Sequence, residues 1–211
     1  MQLMLFQDQV VEMQQNLRAA MEVMTGDIRM ATYDPDGNAG ASITTATPTT
    51  LAFTADLDDS GAFVTGGVAD PNETISYAFG DTNGNGTNDD SDNNGIVDQD
   101  DNGDGVVDRF PFRRSTGGAA LQPIAENIQA IEFYYVLDDG TEVADPSATG
   151  QLDQIQAVKI SMLAIAEQRS PNYTNNQTYT RASGGVWGPF NDGFRRRLLI
   201  STVYIRNRGM M

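Results

Sequence analysis

The 211-residue chain has no cysteine and no histidine, one lysine (Lys159) and one tryptophan (Trp187). Without cysteine there is no disulfide, thiol nucleophile or thiolate metal site. Without histidine the commonest general base is missing, and with it a Ser-His-Asp triad. No run of 18 apolar residues occurs, so no transmembrane helix is expected, and no secretory leader is visible. Basic residues are outnumbered 13 to 29, giving a net charge of -16. With no mixed Lys and Arg patch, neither nucleic acid nor an anionic membrane is expected as a partner. The length suits one domain with a proper core.

What the chain does have is a dense acidic stretch, Asp81 to Asp108, with nine aspartates and no Lys or Arg. These carboxylates repel one another unless a cation neutralises them. Their spacing follows a calcium loop, with oxygen ligands at positions 1, 3, 5, 7, 9 and 12 and Gly at position 6. One register is Asp81, Asn83, Asn85, the Thr87 carbonyl, Asp89 and Asp92. A second is Asp90, Asp92, Asn94, the Ile96 carbonyl, Asp98 and Asp101. A third is Asp100, Asn102, Asp104, the Val106 carbonyl and Asp108, with Pro111 where the last ligand belongs. Two Ca²⁺ ions are expected, and a third if its shell is completed from elsewhere. Asp92 falls in two registers, so neighbouring ions would share it. An all-oxygen ligand set favours Ca²⁺ over Zn²⁺ or Cu²⁺, and Mg²⁺ rarely uses an all-protein cage. The loops leave no room for flanking helices. Their register resembles the aspartate-rich calcium repeats of thrombospondin type 3 and dockerin modules. The competing reading is a solvated acidic linker.

Around that stretch the chain reads as α+β. Residues 1–33 predict a long amphipathic helix, with Leu3, Phe6, Val10, Met13, Leu17, Ala20, Met24, Ile28 and Ala31 on one stripe. A coiled-coil dimer is the rival use of that stripe. It ends before the turn cluster Tyr33-Asp34-Pro35-Asp36-Gly37. Residues 34–211 form the head. Strands are expected at 50–55 and 74–79, at 109–114 broken by Pro111, and at 124–137 with Ile131, Phe133, Tyr135 and Leu137 facing one way. Two more are expected at 154–166, and at 194–206 with Leu198, Ile200, Thr202 and Tyr204 on one face. Residues 171–189 read as a polar loop carrying Trp187. Short turns imply antiparallel pairing in a single sheet wrapped on the helix stripe, with the calcium-binding loop of residues 81–108 as an insertion.

Four stretches, in this order, resemble the minor type IV pilins of the PilW kind, related to the pseudopilins of type II secretion: EMQQNLRAAMEVMTGDIRMATYDP, IAENIQAIEFYYVLDDG, the strand Ile155 to Met162, and RRRLLISTVYIRNRG. The resemblance covers most of the chain outside residues 41–75 and contains no catalytic motif. It implies a helix-plus-sheet headgroup on an extracellular filament, reached through the periplasm. It also implies assembly with other pilin subunits through the helix. Family members carry a leader and an apolar tail of about 20 residues ahead of such a helix. Here Met1 directly precedes the amphipathic half, so the resemblance implies that the tail has been removed or that a separate small chain supplies it. Pilin heads are often fixed by a disulfide near the C-terminus, a role that calcium would take here.

Other residues carry weaker signals. Arg195-Arg196-Arg197 and Arg113-Arg114 are read as strand residues pairing with local carboxylates or water. Phe133, Tyr134 and Tyr135 read as a core strand rather than a ligand platform. Asp58-Asp59 could serve as a carboxylate pair, but they lie in a turn beside Gly. The expected function is therefore a calcium-stabilised structural subunit and not an enzyme. The alternative is a calcium-dependent adhesin with a site near Trp187 or the acidic loops, and a secreted enzyme is the remote third.

Overall fold

The computed structural model describes residues 2–65, 68–70, 72–82, 84, 87–98 and 110–207, with side chains from residue 9 onward except 65, 68 and 69. It begins with helix α1 (Gln2–Met30). The strands are β1 (Ile43–Ala46), β2 (Leu51–Thr54), β3 (Val64–Thr65), β4 (Val68–Ala69), β5 (Thr74–Ala78) and β6 (Phe110–Thr116). They continue with β7 (Gln122–Leu137), β8 (Glu142–Val143), β9 (Ile155–Ile165), β10 (Tyr179–Thr180), β11 (Val186–Trp187) and β12 (Arg196–Tyr204). A single turn of helix, α2 (Pro146–Thr149), is capped by Asp145, whose carboxylate accepts from the Ala148 N–H.

The main sheet has the order β1-β2-β5-β6-β7-β9-β12, with β8 paired to β7. All its pairings are antiparallel. β7 and β9 form its spine, paired from Ile128 opposite Ala164 to Leu137 opposite Ile155, with a register shift near each end. Pro111, expected to break its strand, sits inside β6, which runs through it. The β6–β7 register shifts between Phe110 and Phe112, which accommodates a residue with no N–H to give the ladder. β1 was not anticipated: its four residues, ITTA, are too short to show an alternation.

Helix α1 lies across one face of this sheet. Met13, Leu17, Ala20, Met24 and Ile28 of its stripe are buried in the same cluster as Phe53, Tyr77, Phe112, Ile131, Phe133, Tyr135, Val158, Ile160 and Met162. Each fully buried side chain of this size contributes roughly 1.5–3 kcal/mol by leaving water. The cluster also takes in Val203 and Ile205, with Leu199 against it. The β12 face picked out by sequence, Leu198 to Tyr204, therefore points away from the helix. Ile200 and Tyr204 are exposed. Both faces of β12 carry apolar residues, so alternation alone did not distinguish them; the helix covers the one bearing Leu199 and Val203.

The loop over 171–189 folds onto the opposite face of the sheet. Trp187, 2% exposed, packs with Ala130, Leu163 and Tyr179. The Ala182 N–H donates to Ser161 Oγ at 2.9 Å, and Ser183 Oγ donates to Glu132 at 2.7 Å. Trp187 is a core residue here, not an adhesive surface contact.

Candidate metal centre

The acidic stretch enters between β5 and β6, which are neighbours in the sheet. Sixteen-residue β7 is too long for seven-residue β6 to cover. Their pairing stops at Phe110 opposite Ile128, leaving the next part of that β7 edge open. The chain fills it. Val97 N–H donates to Gln129 O, and Ile131 N–H donates to Gly95 O, both at 2.8 Å, with Ile96 bridging Ala130. Pro48 O takes the next donor, Phe133 N–H. Val97 is buried in the core. Residues 95–97 are thus an added strand segment, and they hold the acidic loop against the molecule.

Just ahead of this anchor, Asp90 is 2% exposed. Its two carboxylate oxygens accept from the Asn94 and Gly95 N–H groups, each at 3.0 Å. Asp92 accepts from the Asn94 N–H at 3.1 Å and from its side-chain amide at 2.8 Å. Asn94 Oδ1 accepts from the Ile96 N–H at 2.7 Å, and Asp98 accepts from the Ser91 N–H and hydroxyl. Gly95 has φ +85, and a Cβ there would meet Ile131 O at 2.4 Å. Only glycine permits that turn and that approach. Burial pushes the Asp90 carboxyl up to about 6 against the pull of the Gly95 and Asn94 N–H groups, and Asp92 adds to the rise. At neutral pH this carboxylate is charged at a cost that a bound cation would offset.

The first predicted register is described in part. Asp89 is fully buried, accepting from the Thr82 N–H at 2.8 Å and from its hydroxyl at 2.6 Å. Thr82 Oγ1 also accepts from Arg113 Nη2 at 3.2 Å. Asp81 and Thr87 are exposed. Asn83 and Asn85 lie outside the described residues, as do Asp100, Asp101, Asn102, Asp104, Val106 and Asp108. The middle register is described as far as Asp98: Asp90, Asp92, Asn94 and Asp98 each accept backbone N–H groups of the loop, but no three carboxylates of the stretch bring oxygens within 4.8 Å of one another among the described residues.

Among the described residues a group of three carboxylates with oxygens within 4.8 Å of one another occurs elsewhere, at Asp56, Asp58 and Glu73. This triad could hold a metal ion. In the sequence Asp58 stands out only as half of the Asp58-Asp59 pair in a turn. The missed signal was Asp56-x-Asp58-x-Ser60-Gly61, the first six positions of the same loop pattern. Glu73 could not have been added from sequence: the β2–β5 ladder brings it there, with its carbonyl accepting from the Ala55 N–H at 2.8 Å.

The arginines divide by partner. Arg196, its side chain fully buried, makes a two-point ion pair with Asp192, with both contacts at 2.6 Å, and lies over the Phe190 ring. Arg114 reaches Asp27 of the helix rather than a local carboxylate.

The sequence profile of the family described as type IV pilus-assembly protein W matches residues 96–207. Among solved structures, a type IV-like pilin from Thermus thermophilus is similar at 14% identity, covering 90% of this chain and 95% of that one, with a TM-score of 0.49. No curated protein matches the chain.

Proposed function

Since the chain belongs to the type IV pilus-assembly protein W family, we propose that it is a structural subunit of a type IV pilus or pseudopilus. It reaches the cell surface through the periplasm and meets other pilin subunits through α1. The observation that carries this is the family match itself, which runs from Ile96, within the acidic stretch, through strands β6 to β12. The helix supports the partner reading. Its buried stripe is spent on the sheet, while Val11 and Val23 stand 49% and 41% exposed on its other side. Among the described residues no helix is long and apolar enough to cross a membrane. Membrane attachment, on this reading, is supplied from outside the described helix.

Calcium is the second part of the proposal. Asp90, Asp92, Asn94, Asp98 and the Ile96 carbonyl form one site, with Asp101 as its remaining ligand. Asp81, Asn83, Asn85, Thr87 and Asp89 form another, sharing Asp92. Asp100, Asn102, Asp104, Val106 and Asp108 form a third, incomplete one. Asp90 supports this reading: it is a nearly inaccessible carboxylate in an all-oxygen loop, anchored by residues 95–97.

The partner reading is tested by cross-linking. The chain has no cysteine of its own, so Val11→Cys and Val23→Cys give unambiguous attachment points. Co-expressed with type IV pilin subunits, each variant should form a cross-link to one of them. Cross-links that equally involve Val186→Cys, an exposed site on the opposite face, would overturn the helix as the contact surface.

A further inference from the structure

The Asp56 loop repeats three backbone hydrogen bonds of the Asp90 loop. Asp56 accepts from the Ser60 and Gly61 N–H groups at 3.1 and 3.0 Å, as Asp90 does from Asn94 and Gly95. Asp58 Oδ1 accepts from the Ser60 N–H at 3.0 Å, as Asp92 Oδ1 does from Asn94. Gly61 takes φ +71, where Gly95 takes +85. By itself this is only a turn shared by two acidic loops.

Glu73 adds what the turn does not. It is 1% exposed. Its Oε1 accepts from the Leu57 and Asp58 N–H groups at 2.8 and 3.2 Å, while its Oε2 is buried with no partner. Asp56 is 0% exposed. Two buried carboxylates and Asp58 therefore converge within 4.8 Å, and among the described residues no lysine or arginine pairs with any of them. A buried carboxylate oxygen without a donor or counter-charge is unfavourable, and it marks where a cation belongs.

We propose that Asp56, Asp58, Ser60 and Glu73 bind a Ca²⁺ ion at a site separate from the 81–108 stretch. The donors are hard oxygens in the first positions of a calcium loop. Glu73 supplies the carboxylate that such loops take from position 12, here from across the sheet. The Ala62 carbonyl, which accepts from Ser60 Oγ at 2.9 Å, stands at the seventh position. The ion would tie the end of β2 to the start of β5. It would also tie both to the exit of α1, because the Asp56 N–H donates to Tyr33 O at 2.7 Å and Gly61 lies against Asn38. The site would thus lock the angle at which the helix leaves the head.

The test is an amide-resolved NMR titration of the full chain with calcium after chelation, read at Ser60 and Gly61. Their signals should move saturably, with a dissociation constant on the order of 0.1–1 mM as in extracellular calcium modules. Glu73→Gln keeps an oxygen for the Leu57 and Asp58 N–H groups but removes the charge, and it should abolish that movement. Asp58→Asn, at an exposed position, should weaken it about tenfold or more. Ser60 and Gly61 signals that stay still in the wild type, or that move equally in Glu73→Gln, would overturn the site. Asn94 and Gly95, read in the same spectra, report the 81–108 loops separately.

Discussion

Asp27, near the end of α1, receives the Arg114 guanidinium of β6 at 2.6 Å. The same Oδ2 accepts from the Tyr77 hydroxyl of β5. Burial, reinforced by the Asp27 charge, holds the Tyr77 phenol far above its ordinary range. One carboxylate thus fastens the helix to two adjacent strands at the polar margin of an otherwise apolar contact. Asp27→Ala leaves both donors without their acceptor and should cost about 2 kcal/mol in urea unfolding. Tyr77→Phe, which removes one bond and keeps the ring, should cost about 1 kcal/mol. Equal losses would mean that the ion pair contributes nothing.

Gly95 and Gly84 share a left-handed backbone, with φ +85 and +72, but a Cβ at Gly84 meets nothing within 4 Å. Replacing either with alanine carries the conformational cost of about 1 kcal/mol. Only Gly95→Ala also drives a methyl into Ile131 O and displaces residues 95–97 from β7. Its melting temperature should fall well below that of Gly84→Ala. If the two variants melt together, the added strand segment contributes no stability.

The Asp192–Arg196 pair supplies a pH dependence. Burial pushes the Asp192 carboxyl upward. The Arg196 hydrogen bonds, the Phe194 N–H, and the Arg196 and Arg169 charges outweigh this and hold it below its usual value. A carboxyl lowered in the folded state stabilises the protein fully above its unfolded pKa, near 3.8, and loses that contribution as pH falls through the folded value. Asp192→Asn should therefore cost about 2–3 kcal/mol at pH 7, where it leaves the buried Arg196 unpaired. The gap to wild type should hold down to about pH 5 and narrow below about pH 4. A gap that widens on acidification would contradict this assignment.

Chelation tests the acidic stretch. A ligand that binds only the native state stabilises it by roughly 3 kcal/mol at a hundredfold excess over its dissociation constant. EDTA should lower the melting temperature and open residues 80–108 to protease. Asp92→Ala, which would remove a ligand from two loops, should reduce the calcium response more than Asp81→Ala. A protease pattern unchanged by EDTA would remove calcium from that stretch.

Much of this molecule was legible one residue at a time. Met13, Leu17, Ala20, Met24 and Ile28 lie on one face because a helix repeats every 3.6 residues, and Ile131, Phe133 and Tyr135 share a face because a strand repeats every two. The Asp90 to Gly95 spacing needed only local chain geometry to become a turn in which carboxylates accept the N–H groups of Asn94 and Gly95. These are short-range consequences of backbone sterics, so sequence by itself determined them. Which face of β12 is buried was decided by where α1 lies. That Trp187 is core was decided by a loop folding back onto the far side of the sheet. Asp27 meeting Arg114 and Tyr77, and Glu73 joining Asp56 and Asp58, depend on contacts between residues 15 to 87 positions apart. No periodicity carries such contacts, because they arise only when buried area and ladder register select one packing of helix and strands from many with the same local pattern.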